Sequence, residues 1–211
     1  KALRQLFRFA VDYEYLETNP VTKVPYLTNK SDGFHQWTPE EVIQFETRHP
    51  IGCKARLALG LLLYTGQRRG DVIKLGRQHE RNGWLHFRQQ KTGKEMEIPI
   101  PSLLRNLLEV SQTGDLTYLM TEHGKPYSNG GFGNWFRRKC NEAGLENCSA
   151  HGLRKVAAAR LAEQGCTVHE IAAITGHTSL KEIQRYTKGA EQRLLAERVS
   201  ERLGGKISQP V

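Results

Sequence analysis

Apolar residues recur at helical spacing through most of the chain and alternate in only one stretch. Leu3, Leu6, Phe7, Ala10 and Val11 mark a first amphipathic helix, with Asn19-Pro20 as its stop signal. Residues 21–35 hold no sustained period and contain Pro25, Asn29, Ser31 and Gly33, which predicts a linker. Thr38-Pro39-Glu40-Glu41 is a capping box with proline in the first turn, so a new helix and a new domain are expected to start there. Ala55 to Tyr64 is apolar on almost every side and stops at Gly66, as a helix at the centre of a core should. Trp84–Arg88 and Met96–Ile100 alternate on either side of Lys91-Thr92-Gly93-Lys94, a hairpin signal.

Leu103, Leu104, Leu107 and Leu108 then mark another helix. Ser128 can cap one striped by Phe132, Trp135, Phe136 and Cys140 and closed by Gly144. A helix from about Ala150 to Gln164 ends at Gly165, and Thr167-x-x-Glu170 and Ser179-x-x-Glu182 are capping boxes opening two short helices. Leu194, Leu195, Val199 and Leu203 stripe a last helix before Gly204-Gly205. The fold class expected is α+β, mostly α-helical, with one small antiparallel sheet.

Composition narrows the partners. The 211 residues carry 31 Lys and Arg against 22 Asp and Glu, a net charge of +9, a balance suited to nucleic acid and shared by other basic proteins. Residues 1–35 contain five basic and four acidic side chains, so the excess lies almost wholly in residues 36–211. Cys53, Cys140, Cys148 and Cys166 show no Cys-x-x-Cys spacing and fit free, largely buried thiols of a reducing cytoplasm. The longest apolar stretch, around Leu57 to Tyr64, is too short to span a bilayer, so no membrane association is expected. No signal peptide is apparent, and the chain opens at Lys1 inside a helical pattern, which reads as a piece of a longer protein.

The chemistry concentrates in a few short segments: Thr65-Gly66-Gln67-Arg68, His151-Gly152-Leu153-Arg154, Gly176-His177 and Tyr186. Two arginines, two histidines and a tyrosine suit attack on a phosphodiester. Guanidinium groups match phosphate oxygens bidentately and stay charged. A phenol with a reference pKa near 10 needs a neighbouring base and a positive field to act as nucleophile. Bland explanations exist for each residue taken singly. Arg68 could simply pair with Asp71 at the surface, and Lys91 could be a solvated hairpin tip with Lys94 as a nearby competitor. His, Cys and acidic residues show no metal-ligand spacing, so neither a metal nor another cofactor is expected.

In order and spacing, Arg68, Lys91, His151, Arg154, His177 and Tyr186 resemble the tyrosine recombinases, the phage integrase family. Thr65 to Asp71 matches its first arginine box, His151 and Arg154 its His-x-x-Arg box, and Gly176-His177 with Tyr186 nine positions on its Gly-His…Tyr box. The likeness covers roughly residues 36–200, with two departures: Gly152 where aspartate is frequent, and Thr175 where leucine usually precedes Gly-His.

The resemblance implies a site-specific recombinase or integrase that cuts and rejoins DNA through a 3′-phosphotyrosyl intermediate. Tyr186 would be the nucleophile, Arg68, Arg154 and His177 would hold the phosphate, His151 would exchange a proton with the tyrosine, and Lys91 would protonate the departing 5′ oxygen. Asp71 would orient a guanidinium. Arg185, Lys188, Arg137, Arg138, Lys139 and Lys94 would contact DNA, while Trp135 and Phe136, on an apolar stripe, are expected in the core.

The implied partners are double-stranded DNA target sites and further copies of the chain in a tetramer, with accessory DNA-bending proteins as additional candidates. The implied setting is the cytoplasm of a bacterium or phage host, at the nucleoid. Expected domains are the last helix of a truncated DNA-binding domain (1–20), a linker (21–35), the catalytic domain (36–205, with a tail helix at about 190–203 packing in cis or in trans) and a flexible end (206–211). Two rivals remain at this point: a type IB topoisomerase, and a non-catalytic helix-turn-helix regulator built from residues 161–186.

Overall fold

The computed structural model describes residues 2–25 and 33–184, together with positions 187, 192, 196, 197, 199 and 200. The chain forms two compact units, Lys1–Gly33 and Phe34–Val211. In the first, helix α1 runs Ala2–Asp12, so it ends well before Asn19-Pro20. The chain closes it at Glu14, whose backbone takes the left-handed conformation at φ 60°, while the Tyr15 and Leu16 N–H groups both return to the Ala10 carbonyl. Capping geometry stops this helix, and the proline lies too far along the chain to be the cause.

The second unit is built around α3 (Lys54–Thr65), nine of whose twelve residues are buried. Helix α2 (Pro39–Arg48) enters through the Thr38 capping box, formed in both directions between Thr38 and Glu41. A single turn, α4 (Arg69–Val72), follows the left-handed cap of α3 at Gly66. The sheet has three antiparallel strands in sequential order, β1 (Glu80–Arg81), β2 (Trp84–Arg88) and β3 (Glu95–Pro99), with Leu85 opposite Ile98 and Phe87 opposite Met96. The alternation announced the hairpin, but β1 is two residues long and carries no period of its own.

Helix α5 (Ser102–Val110) lies against α3 and buries Leu104, Leu107 and Leu108. Leu103, on the opposite side, is 61% exposed, so one of the four leucines does not belong to the core stripe. Helices α6 (Asn129–Glu142), α7 (Ala150–Glu163) and α8 (Val168–Thr175) complete the domain, with α7 packed on α3, α6 and α8.

The core centres on rings from three stretches of the chain. Trp37, Phe45, Phe132 and Phe136 meet with neighbouring centroids about 5.5–6.2 Å apart. Trp135 is buried beside them, as its place on the stripe of α6 required. Phe34 and His35, assigned from sequence to the linker, belong to the second unit. The Phe34 carbonyl accepts from Lys155 at 2.6 Å, and His35 pairs with Glu41. The path of this segment depends on an absence of side chain. A Cβ at Gly152 would sit 2.1 Å from the His35 carbonyl oxygen and 2.9 Å from the Trp37 ring, so the extended segment 34–37 can cross the start of α7 only where that residue is glycine. Among the described residues, no helix is long and apolar enough to cross a membrane.

A candidate phosphate-gripping site

The site forms where two helices end. The last carbonyls of a helix have no partner within it and carry partial negative charge. Here the end of α3 and the end of α8 converge, and side chains from elsewhere satisfy them. Arg154, buried on α7 with 4% exposure, donates from Nη1 to the Gly66 carbonyl at 2.7 Å and to the Thr175 carbonyl at 2.8 Å. Gln67 donates to the Ile174 carbonyl at 2.7 Å. Gln89, just beyond β2, donates through Nε2 to Gln67 Oε1 at 2.6 Å and to the Thr175 carbonyl at 3.1 Å.

The same Gln89 amide reaches the first arginine. Its Oε1 accepts from Arg68 Nη1 at 3.3 Å and from the Thr92 hydroxyl at 2.7 Å. One side chain therefore ties the arginine turn after α3, the end of α8 and the β2–β3 turn that carries Lys91. Gly176, the left-handed cap of α8 at φ 70°, makes this possible: a Cβ there would lie 2.3 Å from Gln89 Nε2.

The two histidines sit on this frame. Thr175 Oγ1 lies 2.7 Å from His177 Nδ1, and His177 Nε2 is 3.7 Å from Glu182 Oε1. Burial first, and then the Arg154 charge, pushes the His177 pKa down to about 4, with Arg68 and His151 adding to the depression and Glu182 opposing it. His151 keeps a solvent-exposed edge while the Phe34 ring covers it at a centroid distance of 4.6 Å. Its pKa also falls, through burial and then through Arg154 and Lys155. Arg68, Arg154, His151 and His177 thus act electrostatically on one another, although they come from segments as far as 109 positions apart. Both imidazoles are neutral at pH 7, and the site's positive charge is that of its guanidiniums.

Several sequence expectations change. Arg154 points inward among carbonyls, while His151, three positions earlier on α7, reaches the surface. The Asp71 carboxylate orients no guanidinium among the described residues. It accepts the Gln90 N–H at 2.8 Å, and so fixes the foot of the hairpin beside Arg68. Lys91 and Lys94 are both exposed on the turn, and so is Arg138 on α6. Arg137 donates to the Glu146 carbonyl, and Lys139 pairs with Glu142 at 2.8 Å, so both are already engaged within the domain. Tyr186, Arg185 and Lys188 lie outside the described residues, as does most of the tail at 190–203.

Gln67 and Gln89 were not anticipated, and Thr175 was noticed only as a departure. The one available signal was a glutamine closing a strand two residues before Lys91. The fold also brings together His35, Glu41 and Cys148, whose ligand-type atoms lie within 4.8 Å. Glu41 already accepts from the Thr38 N–H at 2.7 Å, and burial pushes the Cys148 thiol up to about 12, so this trio serves as a helix cap with a protonated thiol.

Fold and site together define a mainly helical α+β domain built to grip an anionic oxygen group. Residues 38–193 match the phage integrase family, and the chain belongs to that family. It is 33% identical over 132 residues to the shufflon-specific DNA recombinase of Escherichia coli, covering 60% of this chain and 33% of that one. To the integrase of Escherichia phage HK022 it is 28% identical over 153 residues, covering 68% and 43%. The fold matches that of a lambda integrase fragment (75–356), solved as a dimer bound to a COC′ core site, with a TM-score of 0.76 at 26% identity over 88% of this chain and 70% of that one. The chain spans from about a third to about two-fifths of the length of these two curated relatives.

Proposed function

We propose that the chain is the catalytic part of a site-specific DNA recombinase or integrase, a strand transferase working through a tyrosine. The observation that carries this reading is the convergence of Arg68, Arg154, His151 and His177 on one frame, between the arginine turn and the hairpin of Lys91. Tyr186 attacks the scissile phosphorus, forming a Tyr–O–P bond as the P–O5′ bond breaks. Its proton passes to His151, which is neutral and able to accept it. Lys91 supplies the proton that the departing 5′ oxygen takes up. Arg68, Arg154 and His177 hold the non-bridging oxygens as charge builds on them. A 5′ hydroxyl from another strand then reverses the step, and the bond energy kept in the covalent link needs no nucleotide cofactor.

Exposed Arg138 and Lys94, with Arg185 and Lys188, supply phosphate contacts along the duplex; Arg137 and Lys139 contribute after exchanging their present partners. The first unit is the end of a preceding DNA-binding domain, and residues 36–205 are the catalytic domain. A lambda integrase tetramer has been solved on a Holliday junction, at 25% identity and a TM-score of 0.74. By that likeness, four copies of the parent protein act on two duplexes; DNA-bending accessory proteins and a place at the bacterial nucleoid are further parts of the proposal.

The test is incubation with a nicked duplex that traps the covalent step. The unchanged chain is expected to form a protein–DNA adduct and Tyr186→Phe to form none. An unchanged chain that relaxes supercoiled DNA without exchanging strands would instead indicate a topoisomerase.

A further inference from the structure

The Thr175 hydroxyl has two partners and one hydrogen. Its oxygen lies 2.7 Å from the Ile171 carbonyl oxygen and 2.7 Å from His177 Nδ1. A carbonyl can only accept, so the hydroxyl hydrogen goes to Ile171, the threonine's own i−4 carbonyl. The contact with His177 then requires the ring to donate, which puts a hydrogen on Nδ1. A neutral imidazole carries one N–H, so Nε2 presents a lone pair. This side of the ring is 3.7 Å from Glu182 Oε1, and the side chain is 1% exposed.

A bare Nε2 repels a phosphate oxygen. It becomes a donor only by taking up a proton. We propose that Thr175 is a positioning residue that fixes the neutral His177 as its Nδ1–H form and so makes phosphate binding at this site proton-linked, with one proton taken up at Nε2 as the phosphodiester enters. The inference rests on the strand-transfer reading for the phosphate's place between Arg68, Arg154 and His177.

The groups facing His177 set the direction. Arg154 and His151 on α7 and Arg68 after α3 oppose a positive ring, Glu182 on the following segment favours one, and burial opposes it most. Before DNA binds, these groups therefore hold the ring neutral at pH 7. A phosphodiester anion among the same guanidiniums offsets their repulsion, and the proton can be accepted. Leucine, the residue more usual before Gly-His in this family, has no hydroxyl. With leucine the Nε2–H form would donate to phosphate without any proton uptake, so the linkage is a property of the threonine.

Two substitutions separate this role from packing. Thr175→Val keeps the branched shape and removes the hydroxyl, whereas Thr175→Ser keeps the hydroxyl. Long-range proton–nitrogen NMR of the labelled chain without DNA, at pH 7, is expected to show a protonated Nδ1 and bare Nε2 for His177 in the unchanged chain and in Thr175→Ser. Thr175→Val should move the hydrogen to Nε2. Calorimetry of binding to a nicked duplex in two buffers of different ionisation enthalpy should show uptake lower by about one proton in Thr175→Val than in the other two. On the alkaline side, adduct formation should fall by up to about tenfold per pH unit in the unchanged chain and more gently in Thr175→Val.

A protonated Nε2 in the unchanged chain at pH 7, or equal proton uptake in all three proteins, overturns the proposal. Failure of the unchanged chain to form an adduct counts against strand transfer instead, and the NMR measurement, made without DNA, still decides the tautomer.

Discussion

Two interiors of this domain are equally closed to water and are held by opposite rules. Around Phe45, Phe132 and Phe136 the rings are fully buried and touch by shape alone. Around Gln89 the buried groups are Gln67, Arg154, Thr175 and His177, each 4% exposed or less, and every contact has a direction. Dispersion and apolar burial respond to volume, so the aromatic interior degrades in proportion to what is removed. A buried amide or guanidinium that loses one partner suffers a desolvation cost in full. The polar interior is thus the dearer way to fill space. What it provides is aim: the bonds that bury Arg154 also decide where its charge sits relative to Arg68 and His177.

This contrast can be broken from either side. The largest expected effect comes from Phe136→Ala, which should lower unfolding stability by about 3–5 kcal/mol in denaturant titration. Its rate of adduct formation per folded molecule should stay within about twofold of the unchanged chain. Arg154→Leu should cost less stability, about 1–3 kcal/mol from the Gly66 and Thr175 carbonyls that lose a donor, while adduct formation per folded molecule falls about 10²- to 10³-fold, the scale of a lost charge-stabilising donor. If the two substitutions damaged rate and stability alike, the division between the interiors would not hold.

Next in size is a pH effect. With a pKa of about 4 when folded against about 6.5 when unfolded, His177 binds a proton more readily in the unfolded chain between those values. Its contribution is therefore fully present above pH 6.5 and is lost as pH falls toward 4, by at most about 3 kcal/mol. His177→Asn should flatten that part of the stability profile measured by thermal unfolding. Gln89→Leu should cost about 1–3 kcal/mol by taking the donor from Gln67 Oε1 and leaving the Thr175 carbonyl to Arg154 alone. Because Gln89 touches Arg68 and the turn of Lys91, it should also slow adduct formation by about tenfold, read in the same nicked-duplex assay.

How much could be read from the sequence depends on how far each signal travels along the chain. The capping boxes at Thr38 and Thr167, the apolar run of α3 and the alternation of β2 and β3 are local, and they located their elements. Arg68, His151, Arg154 and His177 were found through spacing shared with a family, and the fold brings them together. The frame beneath them was not legible. Gln67 meets Ile174 across 107 positions and Gln89 meets Thr175 across 86, and nothing in the type or period of a glutamine announces such a partner. Asp71 was misassigned for the same reason. The nearby arginine was the obvious ion-pair partner, yet the carboxylate holds a backbone N–H 19 positions away. Gly152 looked like a departure beside the candidate residue His151, and its cause is the close passage of His35.

The central claim is that Arg68 and Arg154, arriving from distant stretches, act on the charge of one phosphate. The most direct measurement replaces the phosphate at the mapped cleavage position with a neutral methylphosphonate and compares adduct formation by the unchanged chain, Arg68→Ala and Arg154→Ala. On the natural duplex both variants should be slower by about 10²- to 10³-fold. On the neutral linkage both deficits should shrink to within about tenfold, because the charge they answer is gone. Deficits of equal size on the two substrates would contradict the account, since the arginines would then be holding the domain together and not the phosphate.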